Sequence, residues 1–280
     1  MIKVRDSQEF NSVIKAFRNA NPKALSNCFL MPAEVDDLAS AGKISLSEYP
    51  GWLFILCDRE GYSNLYYYTT DNSDVGYASE FMKTVSDREV YLDIVTRNGR
   101  GDNVTSERLA EAGLADKYKS YQRMQLAVKD IDFESLSVNL AEGYSMTADY
   151  CDAEEIHMLW KAALDEKSTP LPDENELKLL CENGCLLSVV DSDGNLAGVL
   201  VLSVASKQVL IQHLAVSPDH RRKGIAFSLL NKSFIIAKEK ELTLLRLWVD
   251  RVNYSAIALY DRTGFTVDGM ICDQLYMKGN

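Results

Sequence analysis

Between Val209 and Glu239 the chain passes from an apolar strand pattern, VLIQHLAV, through a short basic loop into a long amphipathic helix pattern that opens at Gly224. Ile225, Leu229, Leu230, Phe234 and Ile235 give that helix its apolar side. A strand that turns directly into a helix leaves the first helical amides without internal acceptors. The helix dipole makes the same end attractive to negative charge. Gly224 lets a ligand approach the backbone, and Ala226 is nearly as small. Arg221, Arg222 and Lys223 add positive charge in a chain whose net charge is −11. The combination is an anion site suited to a pyrophosphate. The chain contains neither G-x-x-x-x-G-K-[ST] nor G-x-G-x-x-G, which excludes the two commonest alternative phosphate loops.

A length of 280 residues suits about two domains. With 46% hydrophobic and 25% charged residues the chain is neither a disordered polymer nor a collagen or coiled-coil rod. Its longest apolar stretch, Gly198–Ala205, has the length of a buried strand and falls well short of a membrane span. With 41 acidic against 30 basic side chains, a duplex-binding surface is disfavoured. A cationic partner such as an amine would be mildly attracted at low salt. The opening Met1-Ile-Lys-Val-Arg-Asp lacks an apolar stretch, so no secretory signal and a cytoplasmic location are expected. The six cysteines (Cys28, Cys57, Cys151, Cys181, Cys185 and Cys272) are too scattered for a disulfide framework, and reduced thiols are expected. Cys181 and Cys185 lie four apart with no following pair at zinc spacing, so no metal site is expected.

The remaining segments alternate helix and strand signals. Gln8–Arg18 places Phe10, Val13, Ile14 and Phe17 at i, i+3, i+4 and i+7, which predicts a helix, and Pro32–Leu38 predicts a second. Trp52–Cys57 and Asn64–Thr70 read as strands around the turn Asp58–Gly61. Tyr77–Val85 reads as a helix, Val90–Thr96 as a strand and Thr105–Ala112 as a helix ended by Gly113. Tyr121–Val128 reads as the strand that closes the first half. Lys129–Leu140 has no clean period and marks the boundary.

The second half repeats the order. Asp152–Leu164 and Glu174–Cys181 read as helices, and Leu186–Val190 with Leu196–Ser203 as a hairpin around Asp191–Asn195. Leu244–Val249 reads as a strand, Ser255–Thr263 as a helix ended by Gly264, and Ile271–Met277 as the final strand. The halves read as diverged copies. Trp52–Thr70 matches Leu186–Ser203, Tyr91–Arg97 matches Leu245–Arg251, and Ala110–Leu114 matches Asp261–Phe265. The period is too long for a solenoid repeat and indicates two related domains. The first half has no counterpart of the basic glycine loop.

Leu214–Ala226 (LAVSPDHRRKGIA) resembles motif A of the GNAT superfamily of acyl-CoA-dependent N-acyltransferases, and Asn253–Phe265 (NYSAIALYDRTGF) resembles its motif B. The likeness covers about residues 141–280 and is weak over the first half. It implies an α/β (mixed α+β) fold of two GNAT-like domains, each a mostly antiparallel mixed sheet flanked by helices. Residues 1–130 would be a degenerate copy lacking the pyrophosphate loop, and residues 141–280 the N-acetyltransferase domain. It further implies acetyl-CoA (coenzyme A) as cofactor, with its pantetheine arm lying between strand four, Val209–Val216, and strand five, Leu244–Val249.

Several site residues follow from the match. The Leu214 amide would face the thioester carbonyl, and Ala215 and Val216 would flank the arm. The amides of Arg221, Arg222, Lys223, Gly224, Ile225 and Ala226 would hold the pyrophosphate. Asn253 would cap the next helix or touch the arm, and a plain cap accounts for it equally well. Tyr260 would protonate the departing thiolate; among 14 tyrosines the alternative is a plain aromatic on a helix face, and its place four residues before Gly264-Phe265 favours the catalytic role. The acceptor would be a small-molecule or peptide amine. Its base is undetermined, because Leu210 and Gln212 occupy the strand-four positions that often carry a carboxylate. Gln212 could hold a water, and His213 could serve only if a bulge re-aimed it. Asp250 is a further candidate. That missing carboxylate leaves a non-catalytic acyl-CoA sensor as the alternative.

Overall fold

The computed structural model describes residues 1–147 and 152–278. Cys151 and the last two residues of the expected second domain lie outside the described residues. The chain divides into two compact units, residues 1–120 with 270–280, and residues 121–269.

The first unit runs β1 (Ile2–Lys3), α1 (Ser7–Ala20), β2 (Leu25–Ser26), α2 (Pro32–Ser40), β3 (Ile44–Tyr49), β4 (Trp52–Asp58), β5 (Tyr62–Thr69), α3 (Gly76–Lys83), β6 (Glu89–Arg97), β7 (Arg100–Gly101), α4 (Asn103–Glu111) and the start of β8 (Ala115–Ala127). α1 begins where the Asp6 carboxylate accepts from the Glu9 amide at 2.7 Å. Its Phe10, Ile14 and Phe17 pack with Val35 and Leu38 of α2 on one sheet face, over Ile44, Leu53, Ile55, Tyr66 and Tyr68. On the other face Phe81 and Met82 of α3 cover Trp52, Phe54, Leu56 and Tyr67. Burial on both faces explains why Trp52–Cys57 is apolar without alternation. The sheet order is β1-β3-β4-β5-β6, and residues Met270–Met277 complete it beside β6.

The second unit takes the rest of β8, then β9 (Tyr144–Thr147), α5 (Ala153–Ala163), α6 (Glu174–Glu182), β10 (Leu186–Asp191), β11 (Leu196–Ala205), β12 (Gln208–Val216), α7 (Ile225–Glu239), β13 (Leu244–Asp250), α8 (Tyr254–Arg262) and the start of β14 (Thr266–Met277). Its order is β9-β10-β11-β12-β13, with Tyr121–Ala127 paired antiparallel to β13. α7 buries Ile225, Leu229, Leu230 and Phe234 against Val209, Ile211, Leu245 and Leu247. α5 and α6 bury Ile156, Trp160 and Leu177 against Val199, Val201 and Ala215 on the opposite face. In each unit the central neighbours pair in parallel while the other pairs described are antiparallel: β5 with β6, and β12 with β13.

Three sequence expectations need correction. Judged by the parallel pairs, β4–β5 corresponds to β11–β12 rather than to β10–β11. The missing strand is β3, whose Ile-Ser-Leu-Ser alternation in Ile44–Ser47 has the period of a strand although Ser45 is buried along with Ile44 and Leu46. The closing strands are also exchanged, since Tyr121–Ala127 pairs in the second unit and Met270–Met277 in the first. β8 and β14 have 13 and 12 residues, about twice the usual strand, so each has length for both memberships. Finally, Cys28, Cys57, Cys185 and Cys272 are free thiols, but Cys181 is disulfide-bonded.

The expected boundary, Lys129–Leu140, belongs to the second unit. Ser228 Oγ donates to the Asn139 carbonyl at 2.8 Å and Asn231 Nδ2 to that of Ser137 at 2.7 Å, which fastens this stretch along α7.

Candidate active site

β12 is interrupted at one point. Val201 pairs with Gln212 and Val199 with Ala215, so Leu200 alone faces His213 and Leu214. His213 absorbs this bulge with φ +49°, a left-handed conformation that His tolerates better than most residues. The bulge changes which side chains face which helices. Leu214 and Val216 pack on the α7 face and Ala215 on the α5 face. On the other edge of β12, parallel pairing with β13 ends at Ile211 and Leu247, although the strands continue to Val216 and Asp250. The Leu214–Val216 edge is therefore left unpaired by any strand among the described residues.

The chain leaves β12 through a short 3-10 turn, Pro218–His220. Arg222 has φ +62° and Gly224 φ +77°. Gly224 is the N-cap of α7 in a left-handed conformation, and no side chain caps the helix. Only glycine adopts that conformation at no steric cost. Arg221, Arg222, Lys223 and Gly224 are all exposed, and Ala226 is half-buried. The helix start is seated by Gly198, where a Cβ would lie 2.7 Å from Ile225 Cγ2. The result is a solvent-facing helix N-terminus flanked by three cations and next to an open strand edge.

One cation is held in place. Lys223 Nζ donates to the Tyr144 hydroxyl at 2.8 Å and lies 5.3 Å from the centre of its ring. The same hydroxyl meets His220 Nδ1 at 2.8 Å. Tyr144 and His220 were missed by sequence reasoning, because the tyrosine joins the loop across 79 residues from Lys223. By contrast, the Arg221 guanidinium makes a long contact, 3.4 Å from Nε to the Val216 carbonyl.

The remaining residues fall into different places. Tyr260 is buried on the α7 face, in the cluster that includes Leu214, Val216 and Ile225, with Phe265 5.9 Å from its ring. Burial pushes its phenol up to about 12, so it stays protonated at neutral pH. Asn253 uses its Oδ1 to cap α8, accepting from the Ala256 amide at 3.1 Å and the Ser255 hydroxyl at 3.0 Å. Asp250, at the end of β13, accepts from the Val252 amide at 3.1 Å. Gln212 is half-buried on β12.

His213 packs with Trp160, 5.1 Å between ring centres, and Trp160 Nε1 donates to the His213 carbonyl at 3.0 Å. Its Nδ1 is buried without a hydrogen-bond partner. Burial lowers its pKa to about 4. A base this weak is poorly matched to the proton of an alkylammonium. The bulge does re-aim His213, but into the Trp160 contact.

Residues 153–265 match the acetyltransferase (GNAT) family. That match lies within the second unit and spans less than half of the chain. Streptothricin acetyltransferase of Streptomyces lavendulae is 36% identical over 83 residues, which is 29% of this chain and 44% of that protein. The matched stretch thus spans less than half of that relative. Among solved structures, a tandem GNAT protein from the clavulanic acid biosynthesis pathway aligns with a TM-score of 0.62 at 14% identity, covering 98% of this chain and 97% of that one. A GCN5-related N-acetyltransferase from Sphaerobacter thermophilus aligns with a TM-score of 0.57 at 15% identity, covering 81% and 76%. These two similarities concern the fold alone. They agree with a GNAT arrangement of mixed sheets and flanking helices along the chain. No helix among the described residues is long and apolar enough to cross a membrane.

Proposed function

We propose that the second unit is an N-acetyltransferase that moves the acetyl group of acetyl-CoA to a primary amine by direct attack. The observation that carries this reading is the uncapped, exposed start of α7 behind Gly224, adjoining the strand edge that β13 leaves open. The amides of Arg221–Ala226 would bind the pyrophosphate, helped by the macrodipole and by Lys223 on its Tyr144 support. The backbone of Leu214, Ala215 and Val216 would bind the pantetheine arm along the open edge. Acetyl-CoA, when bound, supplies an activated thioester carbonyl. The Leu214 amide would donate to the carbonyl oxygen as negative charge develops there. Tyr260, protonated and enclosed, would deliver a proton to the departing thiolate.

The ammonium proton must leave before attack. His213 is unsuited to take it, because its conjugate acid has a pKa of about 4. Gln212 can hold a water on β12, and Asp250 ends the strand that separates from it. The first unit serves in this reading as a degenerate, non-catalytic copy.

The test is calorimetric titration of acetyl-CoA into the wild type and Gly224→Glu, with turnover on a panel of amines. Gly224→Glu places a bulky anion at the helix start and should abolish binding. Undiminished binding by that variant would refute the loop assignment, and binding without turnover on any amine would leave the chain a sensor.

A further inference from the structure

The first unit has the same central device as the second, a parallel pair that stops short. β5 and β6 pair only through Tyr62/Glu89, Ser63/Val90 and Asn64/Tyr91. Beyond those pairs a piece of this chain enters. β2 pairs antiparallel with the far end of β5, Leu25 with Thr69 and Ser26 with Tyr68. The buried Asn27 follows and bridges both strands. Its Nδ2 donates to the Leu65 carbonyl of β5 at 3.2 Å and to the Asp93 carbonyl of β6 at 3.1 Å. Its Oδ1 accepts from the Tyr67 amide at 2.7 Å. Ser26 Oγ adds a bond to the Tyr67 carbonyl at 2.7 Å. One carboxamide thus satisfies the inner edges of two diverging strands.

The helix that follows β5 is closed off as well. Thr70–Val75 occupies the place in the first unit that Ser217–Gly224 occupies in the second. It carries Asp71 and Asp74 where the second unit has Arg221, Arg222 and Lys223. The Asp74 carboxylate accepts from the Gly76 amide at 2.8 Å, at the start of α3. A Cβ on Gly76 would come within 3.1 Å of that carboxylate, so glycine allows it to fold over the helix end. Arg108 ties the loop down from outside, donating to the carbonyls of Asp71 (3.1 Å) and Ser73.

We propose that the first unit is filled by its own chain: Ser26–Asn27 takes the place of an extended, amide-bearing arm between β5 and β6, and the Asp74 carboxylate takes the place of a phosphate at α3. The inference rests on reading the β12/β13 edge as the cofactor groove. It adds that the first unit is closed by an internal mimic of that ligand and not merely short of a loop. Each full chain then binds one acyl-CoA, and the first unit gains the order that a bound cofactor would otherwise confer.

Two measurements on the full chain test this. Native mass spectrometry with acetyl-CoA should show one equivalent bound to the wild type and none to Gly224→Glu. Two equivalents on the wild type, or one remaining on Gly224→Glu, would overturn the proposal. Hydrogen exchange of the Leu65–Thr69 amides should be slow and indifferent to acetyl-CoA. Asn27→Ala should speed it by about tenfold or more, as expected for losing a bridging set of buried hydrogen bonds, while acetyl-CoA affinity stays within about twofold. Unchanged exchange in Asn27→Ala would overturn the proposal. If that variant does not fold, Asn27→Asp removes the two donated bonds at constant shape and is held to the same criterion. A wild type that binds no acetyl-CoA would refute the acetyltransferase reading, and the exchange result would still decide whether the segment seals the first unit.

Discussion

His213 should be an acid-sensitive weak point of the second unit. Burial lowers its pKa from an ordinary 6.5 to about 4, the residue being 8% exposed. Between those two values the unfolded chain binds a proton that the folded chain does not. The sign follows from linkage, since stability rises with pH wherever the unfolded state binds more protons. The folded state is therefore unpenalised above about pH 6.5 and loses roughly 1.4 kcal/mol per pH unit below it, or about 3 kcal/mol by pH 4. His213→Asn removes the titration and keeps a residue that tolerates φ +49°. A chain of two units need not unfold as one transition, so the probe must be local. The Trp160 indole N–H, bonded to the His213 carbonyl, provides one by NMR. Urea unfolding followed on that resonance from pH 7.5 to 4.5 should show the wild type losing stability faster than His213→Asn. A constant offset between the two at every pH would refute the argument, because loss of packing alone is independent of pH.

Three further outcomes follow from the same geometry. Tyr260→Phe should lower turnover by about a hundredfold with acetyl-CoA affinity unchanged, as steady-state kinetics and calorimetry would show; full activity would remove the phenol from the reaction. Gly198→Ala drives a methyl against Ile225 Cγ2 and to 3.3 Å from the Ala215 carbonyl, so it should cost about 1–3 kcal/mol in stability and weaken acetyl-CoA binding, measured by thermal shift with and without ligand. Asp93 has the opposite sign to His213: burial raises it to about 6 from an ordinary 3.8, so folding holds a proton that the unfolded chain releases. Asp93→Asn should therefore stabilise the first unit above pH 6, by less than the full shift of about 3 kcal/mol because the side chain keeps some exposure, with the gain fading toward pH 4; equal effects at pH 4 and 8 would contradict this.

What could be read from the sequence was what depends on near neighbours. The loop from Arg221 to Ala226 announces itself through composition and through the strand and helix on either side. Gly113 and Gly264 mark the ends of α4 and α8 as their neighbours suggest, both with positive φ. β3 was legible in its alternation and was passed over, and that omission shifted the match between the halves by one strand. Other features depend on distant partners. β2 is two residues long and exists because β5 offers an edge, 42 residues from Ser26 to Tyr68 along the chain. The role of His213 turned on a single inserted residue, since a bulge reverses the side-chain pattern of everything after it. Tyr144 could not be linked to Lys223 by any local pattern, and the pairing of Met270–Met277 with β6 could not be inferred from spacing.

The exchanged strands bear on how the protein can be made and taken apart. The first unit cannot finish its sheet until residues 270–277 have been synthesised, so β6 must wait through all of the second unit with one edge open. A fragment ending near residue 130 would carry that bare edge permanently and should aggregate. The piece beginning near 141 would in turn lack the strand that borders β13. Dissection of this chain therefore calls for circular permutation or co-expressed fragments rather than a simple cut between residues 130 and 141.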